Sequence, residues 1–421
     1  MFHTLLQLSA QFGLHVNVQK CKQWCPVSTL SSPVVPAVAP QAGVKVLGIP
    51  IGSRSFIKEE TSVVLSKLQQ CLDRLTQLGC SFSAFHILRA CLSACRVMHL
   101  LRSLPFAHAE QLAKETQAKL HDAFGHILGT PASVQQWALA TLPVRMGGLG
   151  LLDPCRIVAP AHVSSFVASS VATSENGLTP CPISHEFMKA LAHLDASSPV
   201  LSSTLRSCVT IGQVLDPMLS SHPSFESWSD QHVWTELVHE FSCNLLAETL
   251  PPRMRKMREL SSGAHAGLWL LSPLPQQPCV QWASADGQAI LRWRLGVAQN
   301  LPPKCVKCGC SQDPLGDHSL CCTALGIYTR HNAVRDVLAS SLNSLGFSCR
   351  TEVQLPGTSL VPADIFIPRL AEDSPTAVDV SVVHPLQPSN VAQATVTAGS
   401  AAELRAVQKA ATYEEQCRLR S

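Results

Sequence analysis

Cys305-Val-Lys-Cys308-Gly-Cys310-Ser-Gln-Asp313-Pro-Leu-Gly-Asp317-His318-Ser-Leu-Cys321-Cys322 is the stretch on which the reading of this chain turns. Two cysteines separated by two residues can share one tight turn and direct both sulfurs at one ion. A histidine and a cysteine four positions apart can do the same from a short helix or turn. Thiolate and imidazole match the borderline softness of Zn²⁺, so Cys305, Cys308, His318 and Cys322 are the expected ligands of a closed, structural zinc site. Cys310 and Cys321 are alternative ligands on the same reading.

Working outward toward the C-terminus, Arg330-His331-Asn332 opens a run with helical spacing of Val334, Val337, Leu338, Leu342 and Leu345, ended by Gly346. Residues 347–355, 363–367 and 377–383 read as strands, and 401–419 as a closing helix. Glu352, Asp364 and Asp379 fall on those strands, where neighbouring strands could bring carboxylates together. Mg²⁺ or Mn²⁺ takes oxygen ligands, often one or two carboxylates completed by water and substrate phosphate. A lysine close by would orient the attacking water. Taken singly, each acid reads more simply as a strand cap or the partner of an arginine.

The chain has 421 residues, enough for two or three domains. Its hydrophobic fraction is 46% and its charged fraction 14%, which excludes a disordered polyelectrolyte or a coiled coil. A net charge of +3 permits nucleic-acid binding without demanding it. The 18 cysteines are scattered, no charged leader precedes Lys20, and no run of about 18 apolar residues is evident. The expectation is an intracellular protein, nuclear or cytoplasmic, not secreted, with reduced thiols apart from the zinc ligands.

Working toward the N-terminus, residues 1–60 read as short strands and turns, with Lys45-Val-Leu-Gly-Ile-Pro-Ile-Gly52 as a buried strand. Val64, Leu65, Leu68, Leu72, Leu75 and Leu78 recur at helical spacing. Further helices are expected over 85–104 and 110–128, stopped by Pro105 and Gly129. Thr141-Leu-Pro-Val-Arg-Met-Gly-Gly-Leu-Gly150 is a glycine-rich turn with no Gly-Lys-Ser/Thr, so it is not a phosphate-binding loop. Residues 155–280 read as a helical segment without identifiable chemistry. Arg253, Arg255, Lys256 and Arg258 read as a solvated helix face, with a dedicated phosphate contact as the alternative. Arg292 and Arg294 flank Trp293, an arrangement that could hold a nucleic acid by stacking, although a half-buried anchor tryptophan is the simpler reading.

In their order along the chain, the cysteine cluster with Asp313-Pro-Leu-Gly-Asp-His318, Arg330-His-Asn332, Pro362-Ala-Asp364 and Asp379-Val-Ser-Val-Val-His-Pro-Leu386 resemble one family. It is the restriction-like endonuclease at the C-terminal end of one class of non-LTR retrotransposon proteins. The resemblance implies a PD-(D/E)xK fold, with Asp364 and Asp379 as its two acids. Ser381 stands where that motif's lysine is expected, and Lys409 resembles a lysine displaced onto the following helix. The subgroup's Lys-x-x-Lys-Tyr is matched by Lys409 and Tyr413, with Thr412 at the second lysine. Phe12-Gly-Leu-His-Val-Asn-Val-Gln-Lys20 resembles the end of a reverse-transcriptase palm, residues 46–52 its primer-gripping strand, and the helices beyond it a thumb.

The resemblance implies a multi-domain chain. Its N-terminal and middle regions are mainly α-helical: a palm edge in 1–56, thumb-like helices in 57–154 and a helical linker in 155–300. A zinc-binding segment in 301–329 and a C-terminal α/β restriction-endonuclease-like domain in 330–421 follow. It further implies DNA and element RNA as partners, with Arg330, His331, Arg292 and Arg294 toward nucleic acid. The activity implied is metal-dependent nicking of a DNA target, with Asp364, Asp379, Lys409 and Glu352 as catalytic residues. The chain has two tyrosines, Tyr328 and Tyr413, and no Asp-Asp pair, so the Tyr-Ala-Asp-Asp hairpin of a polymerase is missing and polymerisation is not expected. The alternative is an inactive retroelement remnant that holds RNA or DNA through its thumb and zinc module.

Overall fold

A computed structural model of the chain describes residues 2–25, 27, 35–39, 41–176, 184–197, 231–271, 283–354, 361, 363–371, 374–386 and 400–418. Pro362 and parts of the 155–280 and 347–355 segments lie outside the described residues, as do the side chains of Thr412 and Tyr413. The described residues are mainly helical, with a few short strands. They form two compact units, one from Met1–Leu142, Gly150–Glu248 and Gln281–Ser284, the other from Pro143–Leu149, Thr249–Val280 and Ala285–Ser421. The units therefore cut through the 155–300 segment near residue 249.

The first unit is a helical assembly. Arg54–Thr76 begins at Ser53, whose hydroxyl accepts from the Phe56 N–H at 3.3 Å, and buries Ile57, Leu65, Leu68, Leu72 and Leu75. Leu78, read as part of that stripe, lies past the helix end and is exposed. Phe106–Leu128 follows Pro105 and ends at Gly129, whose φ of 68° suits a residue without a side chain. Pro154–Glu175 and His185–Ser197 pack with it, and the Phe166 and Phe187 rings stack at 4.4 Å. Leu101, Leu112, Val158, Phe187 and Trp234 sit in their shared core.

Four expectations for this unit need correction. Residues Phe2–Gln11 form a helix where short strands and turns were expected. The 45–52 strand is a hairpin of Val44–Val46 against Ile49–Ile51, turned through Leu47 and Gly48, both at positive φ. Two successive positive-φ residues close a two-residue hairpin, which period-2 patterning cannot distinguish from one continuous strand. The helix over 85–104 is divided into Ser81–Ile87, a π turn at Leu88–Leu92, a 3₁₀ turn at Ala94–Arg96 and Met98–Ser103. Among the described residues this Ser81–Ser103 run, with mean hydropathy 1.3, is long and apolar enough to cross a membrane, contrary to the sequence reading. Length and composition alone do not separate such a helix from a core helix. Half of its apolar window is buried inside the fold, where Phe85, Leu88, Leu92 and Leu101 lie.

In the second unit, Ile327–Ser344 lies against an antiparallel sheet of Arg350–Thr351, Ile365–Ala371 and Ser374–Val378. Ile365 and Ile367 are buried with Ala339, against Leu342, Phe347 and Val378. The helix therefore uses a narrower face than its apolar spacing predicts. Val334, Val337, Leu338 and Leu345 are exposed, and Arg335 is buried.

The glycine-rich turn belongs to this unit. Gly147 has φ of 86°, and a Cβ there would collide with the backbone carbonyl of Arg258 on the helix Pro252–Ser261. Gly147→Ala is expected to destabilise the second unit by about 2 kcal/mol or more, from left-handed backbone strain plus overpacking. The check is a lower denaturant midpoint without a change in slope. A midpoint equal to wild type would contradict this packing.

Candidate metal and carboxylate centres

The zinc-spaced residues converge. One ligand atom from each of Cys305, Cys308, His318 and Cys322 lies within 4.8 Å of all the others. Cys305 Sγ and Cys322 Sγ are 3.9 Å apart, and Cys308 Sγ is 3.3 Å from His318 Nε2. Tetrahedral zinc, with Zn–S of about 2.3 Å and Zn–N of about 2.0 Å, would place sulfurs roughly 3.8 Å apart and sulfur and nitrogen roughly 3.5 Å apart. The four atoms could hold a metal ion such as zinc. Cys310 and Cys321 stand outside the group: Cys310 is exposed, and Cys321 faces a neighbouring cleft.

Local backbone geometry builds this arrangement. The Cys305 N–H donates to the Cys310 carbonyl at 2.8 Å and the Gly309 N–H to the Cys305 carbonyl at 2.9 Å, folding the first cysteine pair into a knuckle. Asp313 organises the second half: its carboxylate accepts from the N–H groups of Leu315, Asp317 and His318 at 3.0, 3.0 and 2.6 Å. That starts the short helix Asp317–Cys321, which carries His318 and ends beside Cys322. The N–H groups of Cys308 and Lys307 hold the Cys305 thiol down to about 6. Contacts with Cys305 and then Cys308 raise the His318 imidazole. The N–H of Cys310 lowers the Cys308 thiol as well, while burial raises that of Cys322, so two of the three thiols are poised toward the thiolate a metal ion needs.

The carboxylates also converge, though not where strand patterning placed them. Asp364 stands just before Ile365–Ala371 and Asp379 just after Ser374–Val378. The register Ile365↔Val378 continues to set them side by side at one end of the hairpin. The 377–383 segment leaves the sheet after Val378, so Asp379 closes a strand and does not open one.

Asp364 Oδ1 lies 2.9 Å from His331 Nε2, and its Oδ2 accepts from the Val380 N–H at 2.6 Å. Lys409, on Ser400–Arg418, places Nζ 2.5 Å from Asp379 Oδ2 and donates to the Val380 carbonyl at 3.1 Å. Burial and the Asp364 carboxylate raise Asp379, against the pull of Lys409. Asp364 is held low: burial opposes this, but the Val380 N–H, Asp379 and His331 outweigh it. Two adjacent carboxylates with opposite shifts share charge that a cation would neutralise.

Glu352 departs from its expected role. Its backbone N–H donates to the Asp364 carbonyl at 3.0 Å, so the chain does bring it beside the acid pair. Its carboxylate is paired with the Arg335 guanidinium, and its side chain is 61% exposed. Arg292 and Arg294 also depart from expectation. Both are buried, and Arg294 donates to the carbonyls of Gly148 and Ser261 at 3.2 and 3.3 Å while lying over the Trp269 ring. Arg294 thereby ties parts of the second unit together, and both arginines are too buried to offer a nucleic acid a surface. Trp293 between them is half-buried and donates to Asp317 at 3.3 Å.

The Arg253 cluster is not a solvated face. Arg253 grips Asp317 with two bonds of 2.6 and 2.7 Å, and Lys256, its side chain 7% exposed, pairs with Glu259. Arg330 is half-buried and donates to the Leu320 carbonyl at 2.8 Å. A cleft of about 400 Å³ lies beside the acid pair, with Arg330, His331, Ser381, His384, Arg405 and Lys409 among its lining residues. Asp317 is the residue that sequence reasoning missed. Its signal was position alone, directly before a metal-spaced histidine.

No family model matches this chain, and no curated protein matches it.

Proposed function

We propose that this chain carries a metal-dependent DNA-nicking site of the restriction-like type, in a protein derived from a non-LTR retrotransposon. The observation that carries the reading is the convergence of Asp364, Asp379 and Lys409 from two strand ends and a distant helix. Two carboxylates facing one another are a donor set suited to Mg²⁺ or Mn²⁺. When bound, such an ion activates water and stabilises the charge that builds on a scissile phosphate. His331 and the Val380 N–H orient Asp364, and Lys409 is placed to orient the attacking water. Water adds to phosphorus, the bond to the 3′ oxygen breaks, and a 3′-hydroxyl end is released. Zinc at Cys305, Cys308, His318 and Cys322 is structural in this reading, because four protein ligands leave no open position. The partners are DNA and element RNA, with Arg330 and His331 on the nucleic-acid side of the cleft.

The specific observation favouring an inactive, nucleic-acid-holding remnant is the capture of Glu352 by Arg335, together with Ser381 at the motif's lysine position. One experiment separates the two. Zinc-loaded protein is incubated with supercoiled plasmid and Mg²⁺ or Mn²⁺, beside Asp364→Ala and Asp379→Ala. Wild type is expected to yield open circles and both variants to lose them by at least a hundredfold. Nicking no faster than in the variants would end the nuclease reading and leave the binding one.

A further inference from the structure

The helix Asp317–Cys321 touches both the zinc ligands and the supports of the acid pair. His318 near its start and Cys322 just past its end contribute their ligand atoms to the Cys/His cluster. Asp317, one residue before His318, directs its carboxylate away from that cluster into a polar hub. Arg253 Nη2 and Nε lie 2.6 and 2.7 Å from its two oxygens, Trp293 Nε1 donates at 3.3 Å, and His384 Nε2 lies 3.4 Å away.

Two tethers run from this helix to the acid pair. His384, with 8% of its side chain exposed, ends the segment that leaves the sheet at Asp379, and Val380 in that segment donates to Asp364. At the other end of the helix, the Leu320 carbonyl accepts from Arg330, whose neighbour His331 holds Asp364 Oδ1. Each support of Asp364 therefore hangs from one side of the zinc-bearing helix.

We propose that Asp317 is a positioning residue that couples zinc occupancy to the geometry of the Asp364–Asp379–Lys409 site. This rests on the reading of that site as a divalent-ion centre. Partners that orient a metal's carboxylate ligands commonly change metal affinity 10–100-fold when removed. Asp317→Asn keeps size and an acceptor for Trp293 but removes the charge that Arg253 and His384 face.

The test uses full-length zinc-loaded protein, with zinc counted by a chromogenic chelator and Mn²⁺ binding titrated by electron paramagnetic resonance. Asp317→Asn is expected to retain one zinc and bind Mn²⁺ about tenfold or more weakly. Asp364→Asn should retain zinc and lose the Mn²⁺ site. Unchanged Mn²⁺ affinity in Asp317→Asn overturns the coupling. So does loss of zinc from that variant, which would make Asp317 a builder of the zinc module alone. If wild type binds no Mn²⁺, the divalent-ion reading fails, and amide exchange then decides the coupling. Stripping zinc should speed exchange over residues 379–386, and unchanged exchange there overturns the coupling as well.

Discussion

Chelation of the purified protein is expected to remove one zinc ion per chain and unfold residues 301–326, while the helices of the first unit keep their amide protection. The reason lies in what is buried. Within 301–326 only Cys305, Gly316 and Cys322 are buried, so this stretch has no hydrophobic core of its own. Its backbone hydrogen bonds are mainly local turns, the knuckle at Cys305–Cys310 and the Asp313 cap, and a few ties, from Arg253 and Trp293 to Asp317 and from Arg330 to the Leu320 carbonyl, join it to the rest of its unit. Local turns of this kind do not offset the backbone entropy of ordering some two dozen residues, at roughly 1–2 kcal/mol each. Structural zinc supplies on the order of 10 kcal/mol in comparable small modules, and that binding energy is folding energy. Cys308→Ser should therefore reproduce the effect of chelation, although Cys308 itself is exposed. A disturbance confined to an exposed thiol would leave stability unchanged if packing held the module, so the exposed ligand gives the cleaner test. Zinc content is read by atomic emission and local order by amide exchange. A protein that comes metal-free with 301–326 fully protected would sink the assignment.

The Cys/His cluster was the most legible part of the chain because ligand identity and spacing are themselves the chemistry. Cys305, Cys308, His318 and Cys322 converge as their spacing requires, and the structure selects Cys322 over Cys321 because the short helix ends between them. The long helices of the first unit were legible for a similar reason: leucine periodicity, Ser53, Pro105 and Gly129 are local signals. Strand patterning put Asp364 and Asp379 on neighbouring strands, as found, but missed the strand ends, where the decisive fact is a register. Nothing within residues 363–383 states that Asp364 and Asp379 end neighbouring strands, because that depends on where the hairpin turns. Charge clusters misled in the opposite direction. Arg292, Arg294 and Arg253 read as surface residues, yet Arg292 is buried, and the partners of Arg294 (Gly148 and Ser261) and of Arg253 (Asp317) are distant in sequence. Buried arginines are recognised by their acceptors, and acceptors brought together by the fold leave no mark beside the arginine in the sequence.

Lys409→Met is expected to slow plasmid nicking by about a hundredfold or more, the range over which a positioned proton-transfer group contributes, while leaving Mn²⁺ binding intact or tighter. The argument turns on what the ammonium does at 2.5 Å from Asp379 Oδ2 and 3.1 Å from the Val380 carbonyl. As a counter-charge, Lys409 competes with a divalent ion for Asp379, so its removal frees the carboxylate for metal. As a group that orients water, it contributes to the reaction and little to ion binding. These roles predict opposite patterns. A lysine that merely neutralises the acid pair would give a variant whose activity returns in full at saturating Mn²⁺. A lysine that acts on the water gives one whose rate stays low however much metal is supplied. Ser381 lines the same cleft as Lys409, at the position where the resembling motif carries its lysine. Adding Ser381→Lys to Lys409→Met should therefore recover part of the lost rate, since the ammonium can reach the site from either element. Full activity of Lys409→Met at saturating metal would remove Lys409 from the chemistry and leave it as an ion-pair partner.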